Sequence, residues 1–225
     1  MTVARRPGRL LITAGPTHEP IDAVRYLANR SSGRLGEALA RAGARRGWSV
    51  TLLLGPVGRP VEDTGADLIR FTTTADLDRL LAERAPACDV LVMAAAVADY
   101  RPARPAGGKI PRSDGPITLA LEPTPDLVAR EARRRRPGQV FVGFSLGPRP
   151  GLLETARAKL RAKSLDSIVA NPIETMDADT IEATLIRAVG AQESTPGRLS
   201  KADFADWLLD RVLPGGAEDR PATTR

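Results

Sequence analysis

Residues 10–36 read LLITAGPTHEPIDAVRYLANRSSGRLG. The stretch opens on an apolar strand, Leu10 to Thr13, and closes on Ser31-Ser32-Gly33, the expected start of a helix. Seventeen residues lie between Thr13 and Ser31, polar and punctuated by glycine and proline. Strand-to-helix connections in α/β units take about 2–6 residues, and much longer ones in compact domains are usually functional. The first crossover is therefore expected to carry chemistry as well as topology.

Working outward, strands are expected at Arg9–Thr13, Ser49–Leu54, Asp67–Phe71, Asp89–Ala94, Val140–Phe144, Ser167–Ala170 and Ala183–Ala188. Helical patterns run over Ser32–Arg46, Thr74–Arg84, Asp126–Arg134, Gly151–Lys163 and Lys201–Val212. LLIT, VTLLL and VLVMAA read as continuous apolar runs, the mark of strands buried on both faces of a parallel sheet. Alternation of strand and helix then predicts an α/β fold: a Rossmann-like, doubly wound, mostly parallel sheet with right-handed crossovers. Ser32 is expected to cap the first helix and Thr74 the second, with Gly47 just beyond the end of the first. Segment 101–125 differs, with a Gly/Pro-rich loop and an alternating Ile117–Leu121 run; it predicts a flap with an excursion strand outside the main sheet. One domain is expected over 1–213, and the Gly/Pro/Thr-rich stretch 214–225 reads as a disordered tail.

The chain of 225 residues is 42% hydrophobic and 27% charged, an ordinary globular balance. Aromatics are only 4%, so the core must be aliphatic. The net charge of +6 comes mostly from arginine and reads either as solvated faces or as attraction to a nucleotide or phosphate. Nucleic acid is disfavoured, because aromatics do not interleave with the basic residues and no helix carries a basic stripe. The lone cysteine, Cys88, excludes an internal disulfide framework and reads as a buried structural thiol. No apolar run is long enough to span a membrane, and the N-terminus lacks the apolar core of a signal peptide. A cytoplasmic location is expected.

In open α/β sheets, ligands bind beyond the carboxyl ends of the strands. Four segments leave such ends: Ala14–Gly36, Ala94–Arg101, Phe144–Gly151 and Asn171–Asp179. In the first, Gly15, Ser31, Ser32, Gly33 and Gly36 favour a phosphate near a helix N-terminus. It is not the G-x-G-x-x-G fingerprint, and Leu54-Gly55-Pro56 stands where a dinucleotide site needs a ribose-binding acid. In the second, Ala94, Ala95, Ala96 and Ala98 let a ligand lie against the backbone, and Asp99 can accept from a base or ribose or ligate a metal. Their smallness also suits close helix packing. Lys109 follows two glycines and could reach a phosphate. Lys159 and Lys163 share one helix face at i, i+4. His18 is the only histidine, so neither a His-based metal site nor a Ser-His-Asp triad has support, and a solvent-exposed ring is expected.

These segments, in this order, resemble the phosphopantothenate–cysteine ligases (phosphopantothenoylcysteine synthetases). The resemblance rests on ITAGPTHEPIDAVRYLANRSSGRLG, VTLLLGPV, VLVMAAAVADYRP, the lysine of GGKIPR, PTPDLV, VGF and ARAKLRAKSLDSIVAN. It implies that CTP or ATP activates the carboxylate of 4'-phosphopantothenate as an acyl-nucleotidylate, and that L-cysteine then forms the amide. Mg²⁺ would bind through the nucleotide phosphates rather than through protein ligands, and no flavin is implied. Family roles carried over by matching residues make Asn29, Arg25 and Lys109 catalytic. They place Gly15, Ser31, Ser32, Gly33, Ala95 and Ala96 at the substrate. They place Asp99, Lys109, Pro125, Asp126, Leu127, Val128, Phe144, Lys159 and Lys163 at the nucleotide. The resemblance further implies a homodimer, joined through Ile117–Leu121 or Ala183–Ala188, and a stand-alone form served by a separate phosphopantothenoylcysteine decarboxylase. Competing readings are an NAD(P)-dependent Rossmann oxidoreductase and a non-catalytic nucleotide-binding protein. The chain departs from the family at GFSLGP, at Ile110-Pro111-Arg112 after the flap lysine, at Pro172 and at Met176–Ile181.

Overall fold

The computed structural model describes residues 7–214. Apart from Pro214, the expected tail lies outside them. Along the chain, β1 (Arg9–Ala14) is followed by a small hairpin, β2 (His18–Pro20) and β3 (Tyr26–Ala28), then α1 (Arg34–Arg45), β4 (Ser49–Leu54), β5 (Asp67–Arg70) and α2 (Thr74–Arg84). Next come β6 (Val90–Met93), a second hairpin of β7 (Tyr100–Pro102) and β8 (Leu121–Pro123), α3 (Leu127–Arg134), β9 (Val140–Gly147) and α4 (Leu152–Ala162). The chain finishes with β10 (Ser167–Pro172), β11 (Thr180–Ile181), β12 (Thr184–Arg187), β13 (Glu193–Ser194), β14 (Leu199–Ser200) and α5 (Lys201–Val212).

The main sheet has eight strands in the order β13-β12-β10-β9-β6-β1-β4-β5. From β5 across to β10 all neighbours are parallel, and β12 and β13 add an antiparallel edge. The chain builds outward from β1 through β4 to β5, then returns past β1 to lay down β6, β9 and β10. That reversal puts a topological switch point between β1 and β6, where a crevice opens at the carboxyl edge.

Both faces of the sheet are covered, which is why its strands lack polar alternation. Leu10, Ile12 and Ala14 pack under α1 and α5 with Leu39, Phe204 and Leu208. Leu11 and Leu53 point the other way, into a layer with Leu77, Leu81, Leu91, Phe141 and Leu160. Among the described residues no helix is long and apolar enough to cross a membrane.

Several element ends differ from the sequence expectation. Strands β9 and β10 run on to Gly147 and Pro172 because they keep pairing with each other past the apolar runs, Ala170 opposite Ser145 and Asn171 opposite Leu146. Strand β5 stops at Arg70, and Phe71 turns into the core. Thr74 does not cap α2. Thr73 does, accepting from the Asp76 amide at 3.1 Å, while the Asp76 carboxylate accepts from the Thr73 amide at 2.9 Å. Ser32 does not cap α1: the N-cap is Gly33, with φ 71° and no side-chain cap bond. A side chain there would need the left-handed backbone. The excursion strand expected at Ile117–Leu121 forms only from Leu121, because alternation makes no strand without a partner, and only Leu121–Pro123 pairs with β7. Ile117, Leu119 and Leu121 are left exposed.

Cys88 is buried, its thiol donating to the Ala85 carbonyl at 3.3 Å. Burial pushes its pKa up to about 12. Since the thiolate is the reactive form, iodoacetamide at pH 8 should label native Cys88 at least ~100-fold more slowly than the urea-unfolded chain; equal rates by mass spectrometry would contradict this burial.

Candidate functional site

A cleft of about 690 Å³ lies along the carboxyl edge at the switch point. Its lining draws on residues 28–36, 93–99, 124–128, Gly143, Phe144 and Leu146, Asn171 and 175–177, with Lys159, Lys163 and Lys201. All four sequence segments that leave strand ends thus contribute to one opening.

One wall is the irregular backbone after β6, held by β1 and the loop that follows it. The Ala94 amide donates to the Thr13 carbonyl at 3.1 Å and the Ala96 amide to the Gly15 carbonyl at 2.9 Å. Two side chains complete the hold: Thr13 Oγ1 accepts from the Ala95 amide at 3.1 Å and Thr17 Oγ1 from the Ala98 amide at 3.0 Å. Asn29 Nδ2 donates to the Val97 carbonyl at 2.9 Å. On the far side the Thr124 amide donates to the Asp99 carbonyl at 2.9 Å. Non-repetitive backbone at a sheet end needs partners for its polar groups, and here they come from residues 13–29.

Thr13 and Thr17 are fully buried and were not singled out in the sequence. The available signal is a hydroxyl at the end of an otherwise apolar strand. Glu19 belongs to the same network: its buried carboxylate accepts from the Thr74 amide at 2.8 Å and hydroxyl at 2.7 Å, tying the first crossover to α2. His18 is half-buried rather than exposed, stacked on Tyr26 with ring centroids 3.8 Å apart, and burial lowers its pKa.

Arg25, Lys109 and Gly15 are not among the cleft-lining residues. Gly15 packs on Gly55, whose amide donates to the Ala14 carbonyl at 2.9 Å. A Cβ at Gly55 would fall 2.0 Å from the Pro16 carbonyl oxygen, so the end of β4 is closed where a dinucleotide ribose would bind. Arg25 and the flap meet around Asp22. The Asp22 carboxylate accepts from the amides of Val24 (2.8 Å), Arg25 (2.7 Å) and Ile110 (3.1 Å) and pairs with the Arg25 guanidinium at 3.0 Å. Arg25 Nη2 also donates to the Ile110 carbonyl at 3.3 Å. Lys109, the neighbour of Ile110, is therefore placed beside the β2–β3 turn, with its side chain exposed.

The hydrogen bond from the Val24 amide, with those from Arg25 and Ile110, holds the Asp22 carboxyl below the ordinary carboxylate pKa. A depressed pKa gives stability that is full at neutral pH and lost as pH falls through the folded value. Flap protection should thus persist at pH 5 and fail only in stronger acid. Asp22→Ala should speed limited proteolysis within 103–120 about 10-fold at pH 7 by orphaning these donors; an unchanged cleavage rate would refute the tether.

At the other flank Lys163 Nζ pairs with Asp126 Oδ2 at 3.0 Å, and Asp126 Oδ1 accepts from the Ala129 amide at 3.1 Å to cap α3. Lys163 is the C-cap of α4 and not within it, yet still lies on the Lys159 side of the cleft. Pro125, Leu127, Val128 and Phe144 complete this flank, and Asn29, Ser31, Ser32, Gly33, Ala95, Ala96 and Asp99 line the remainder. The sequence reading missed Arg30, Arg34, Asp177 and Lys201, which lie distant along the chain or among ordinary surface charges. No group of three His, Cys, Asp or Glu residues suited to a metal occurs among the described residues.

The pattern of a family described as "DNA/pantothenate metabolism flavoprotein C-terminal domain" matches residues 6–214. The "Coenzyme A biosynthesis bifunctional protein CoaBC" of Mycobacterium tuberculosis is 39% identical over 217 residues, covering 91% of this chain and 52% of the relative. The chain thus spans about half the length of the curated relatives it matches. A crystal structure of the C-terminal domain of a Coenzyme A biosynthesis bifunctional protein CoaBC superposes with TM-score 0.77 at 30% identity, covering 91% of this chain and 93% of that one. A Cab2 variant in complex with phosphopantothenate-cysteine superposes with TM-score 0.73 at 18% identity, covering 90% and 84%, a likeness of fold.

Proposed function

The chain belongs to the DNA/pantothenate metabolism flavoprotein C-terminal domain family, and we propose that it is a phosphopantothenate–cysteine ligase acting in coenzyme A biosynthesis. The observation that carries this reading is the pinned Ala94–Asp99 wall facing Asn29, with cationic side chains on both flanks of the cleft. The name of the CoaBC relatives and the phosphopantothenate-cysteine named for the Cab2 complex support it.

In the proposed reaction a carboxylate oxygen of 4'-phosphopantothenate attacks the α-phosphorus of CTP or ATP. The bond to pyrophosphate breaks and an acyl-nucleotidylate remains. The amine of L-cysteine then attacks the acyl carbon, loses a proton and expels the nucleoside monophosphate. Such chemistry needs two anions brought together in register, so positioning and charge neutralisation dominate. Asn29 spends one N–H on Val97, leaving its second N–H and its carbonyl oxygen for the acyl-nucleotidylate. The alanine side chains leave the backbone approachable. Lys159 and Lys163 would neutralise nucleotide phosphates, Lys163 exchanging its Asp126 partner for them. Arg25 and Lys109 would act from the flap, the Arg25–Ile110 contact holding the pair together.

Mg²⁺ suits this donor set. Asp99 lines the cleft with no side-chain partner among the described residues, and one carboxylate plus substrate phosphates is how Mg²⁺ is usually held. Held through the nucleotide phosphates, the ion would supply charge neutralisation, with Asp99 at the nucleotide beside it. We further propose a homodimer through the exposed flap residues Ile117, Leu119 and Leu121. Strand β12 is the alternative contact: β10 lies along one side of it, and on the other β13 pairs only with Thr184 and Leu185.

The test is direct. Incubation with phosphopantothenate, L-cysteine, Mg²⁺ and either CTP or ATP should release pyrophosphate, with the two nucleotides compared side by side. Release with neither nucleotide would overturn the ligase reading, and a hydride transfer reaction would restore the oxidoreductase.

A further inference from the structure

Four cations gather at the flank of the cleft formed by α1 and α5: Arg30, Arg34 and Lys201 line it, and Arg59 lies behind, donating to the Ser32 carbonyl at 3.0 Å. Three have their own carboxylates: Arg30 with Asp177 at 2.7 Å, Arg34 with Asp179 at 2.8 Å, and Arg59 with Glu37 at 2.6 Å. The fourth, Lys201, opens α5 and lines the cleft, with no ion-pair partner among the described residues. It is half-buried. Burial, and then the nearby Arg34, lower its pKa, while Asp179 and Asp177 act the other way. A half-buried ammonium beside matched ion pairs is one positive charge in excess, and such a site favours an incoming anion.

Its place on the fold says which anion. Lys201 sits on the helix that packs with α1 on one face of the sheet, whereas Lys159 lies in α4 and Lys163 at its C-cap on the other. The proposed reaction joins two substrates that each carry phosphate, and the cleft has a cationic group on each face of the sheet. Resting on the ligase reading, we propose that Lys201 is a phosphate-positioning residue: its ammonium takes the terminal phosphomonoester of the carboxylate substrate, with Arg34 beside it. The first turn of α1, which has no side-chain cap, adds backbone N–H groups to the same end. The phosphate then anchors the far end of the substrate while its carboxylate reaches the wall at Ala95 and Asn29.

Steady-state kinetics of the full chain and its Lys201→Gln and Lys201→Arg variants test this. Lys201→Gln should raise KM for phosphopantothenate about 10–100-fold, the loss of one charge-assisted hydrogen bond. Nucleotide KM should stay within about 3-fold, and Lys201→Arg should recover most of the loss by keeping the charge. Calorimetric titration with phosphopantothenate and with pantothenate, without nucleotide, reads the same contact independently of turnover. Wild-type protein should prefer the phosphorylated compound, and Lys201→Gln should lose that preference with the melting temperature unchanged. A rise in nucleotide KM instead, no change in either KM, or an undiminished preference for phosphopantothenate in Lys201→Gln would overturn the proposal. Binding that follows it without pyrophosphate release would locate the failure in the ligase reading instead.

Discussion

Asn29→Asp should lower kcat about 100-fold, the scale of losing one preorganised donor at a reacting centre, while leaving nucleotide binding within about 3-fold. The wild-type side chain donates to the Val97 carbonyl at 2.9 Å, in the middle of the wall that faces the proposed acyl group. An aspartate at neutral pH has no proton to donate. Its oxygen would oppose the Val97 carbonyl oxygen, and the added negative charge would face a substrate that is itself an anion. Both effects fall on the wall that Asn29 bonds through Val97, the proposed acyl end, rather than on the Lys159 and Lys163 side proposed for the nucleotide. Comparison of kcat with a nucleotide dissociation constant measured by calorimetry checks the assignment. Equal loss of both would show that Asn29 holds the nucleotide or the fold.

Gly36→Ala should destabilise the chain by about 1–3 kcal/mol, the range for overpacking a close contact. A Cβ at position 36 would lie 2.2 Å from Ala14 Cβ and 3.3 Å from Ala14 Cα. These atoms belong to a central strand buried on both faces, so neither side can yield cheaply. For a chain of this size the cost corresponds to a melting-temperature drop of about 3–10 °C. Gly58→Ala is the control: nothing lies within 4 Å of its Cβ, and no drop is expected. Scanning calorimetry of the two variants decides the matter, and equal melting temperatures would refute the close packing of α1 on β1. The consequence extends to the cleft, because Gly36, in the first turn of α1, lines it together with Asn29 and Ser32.

Much of the architecture was legible because its signal is local. An apolar run such as VTLLL can be buried only with both faces covered, and β4 is Ser49–Leu54 as the pattern requires. Helices α2 and α5 carry side-chain caps, and their bounds match those read from the sequence. Ends went wrong where a distant partner decided them. Strand β9 continues through Ser145 because β10 runs alongside, and Ile117–Leu119 forms no strand because nothing does. Ser32 and Thr74 failed as caps because the backbone at Gly33 and the buried carboxylate of Glu19 claimed those positions first.

The same division runs through the site. By itself the sequence determined the α/β class, the carboxyl edge where a ligand must lie, and the chain segments that reach it, since burial pattern and strand direction follow from nearest neighbours. Only the tertiary structure decided that Thr13 and Thr17 hold the Ala95 and Ala98 amides, that Asp22 ties the flap to the Arg25 turn, and that Lys201 has no ion pair among the described residues while Arg30, Arg34 and Arg59 have theirs. Each of these depends on charges or hydrogen-bonding groups about eighty or more residues apart in most cases, and a hydrogen bond acts over about 3 Å; their meeting is a property of the folded path, which no local pattern records.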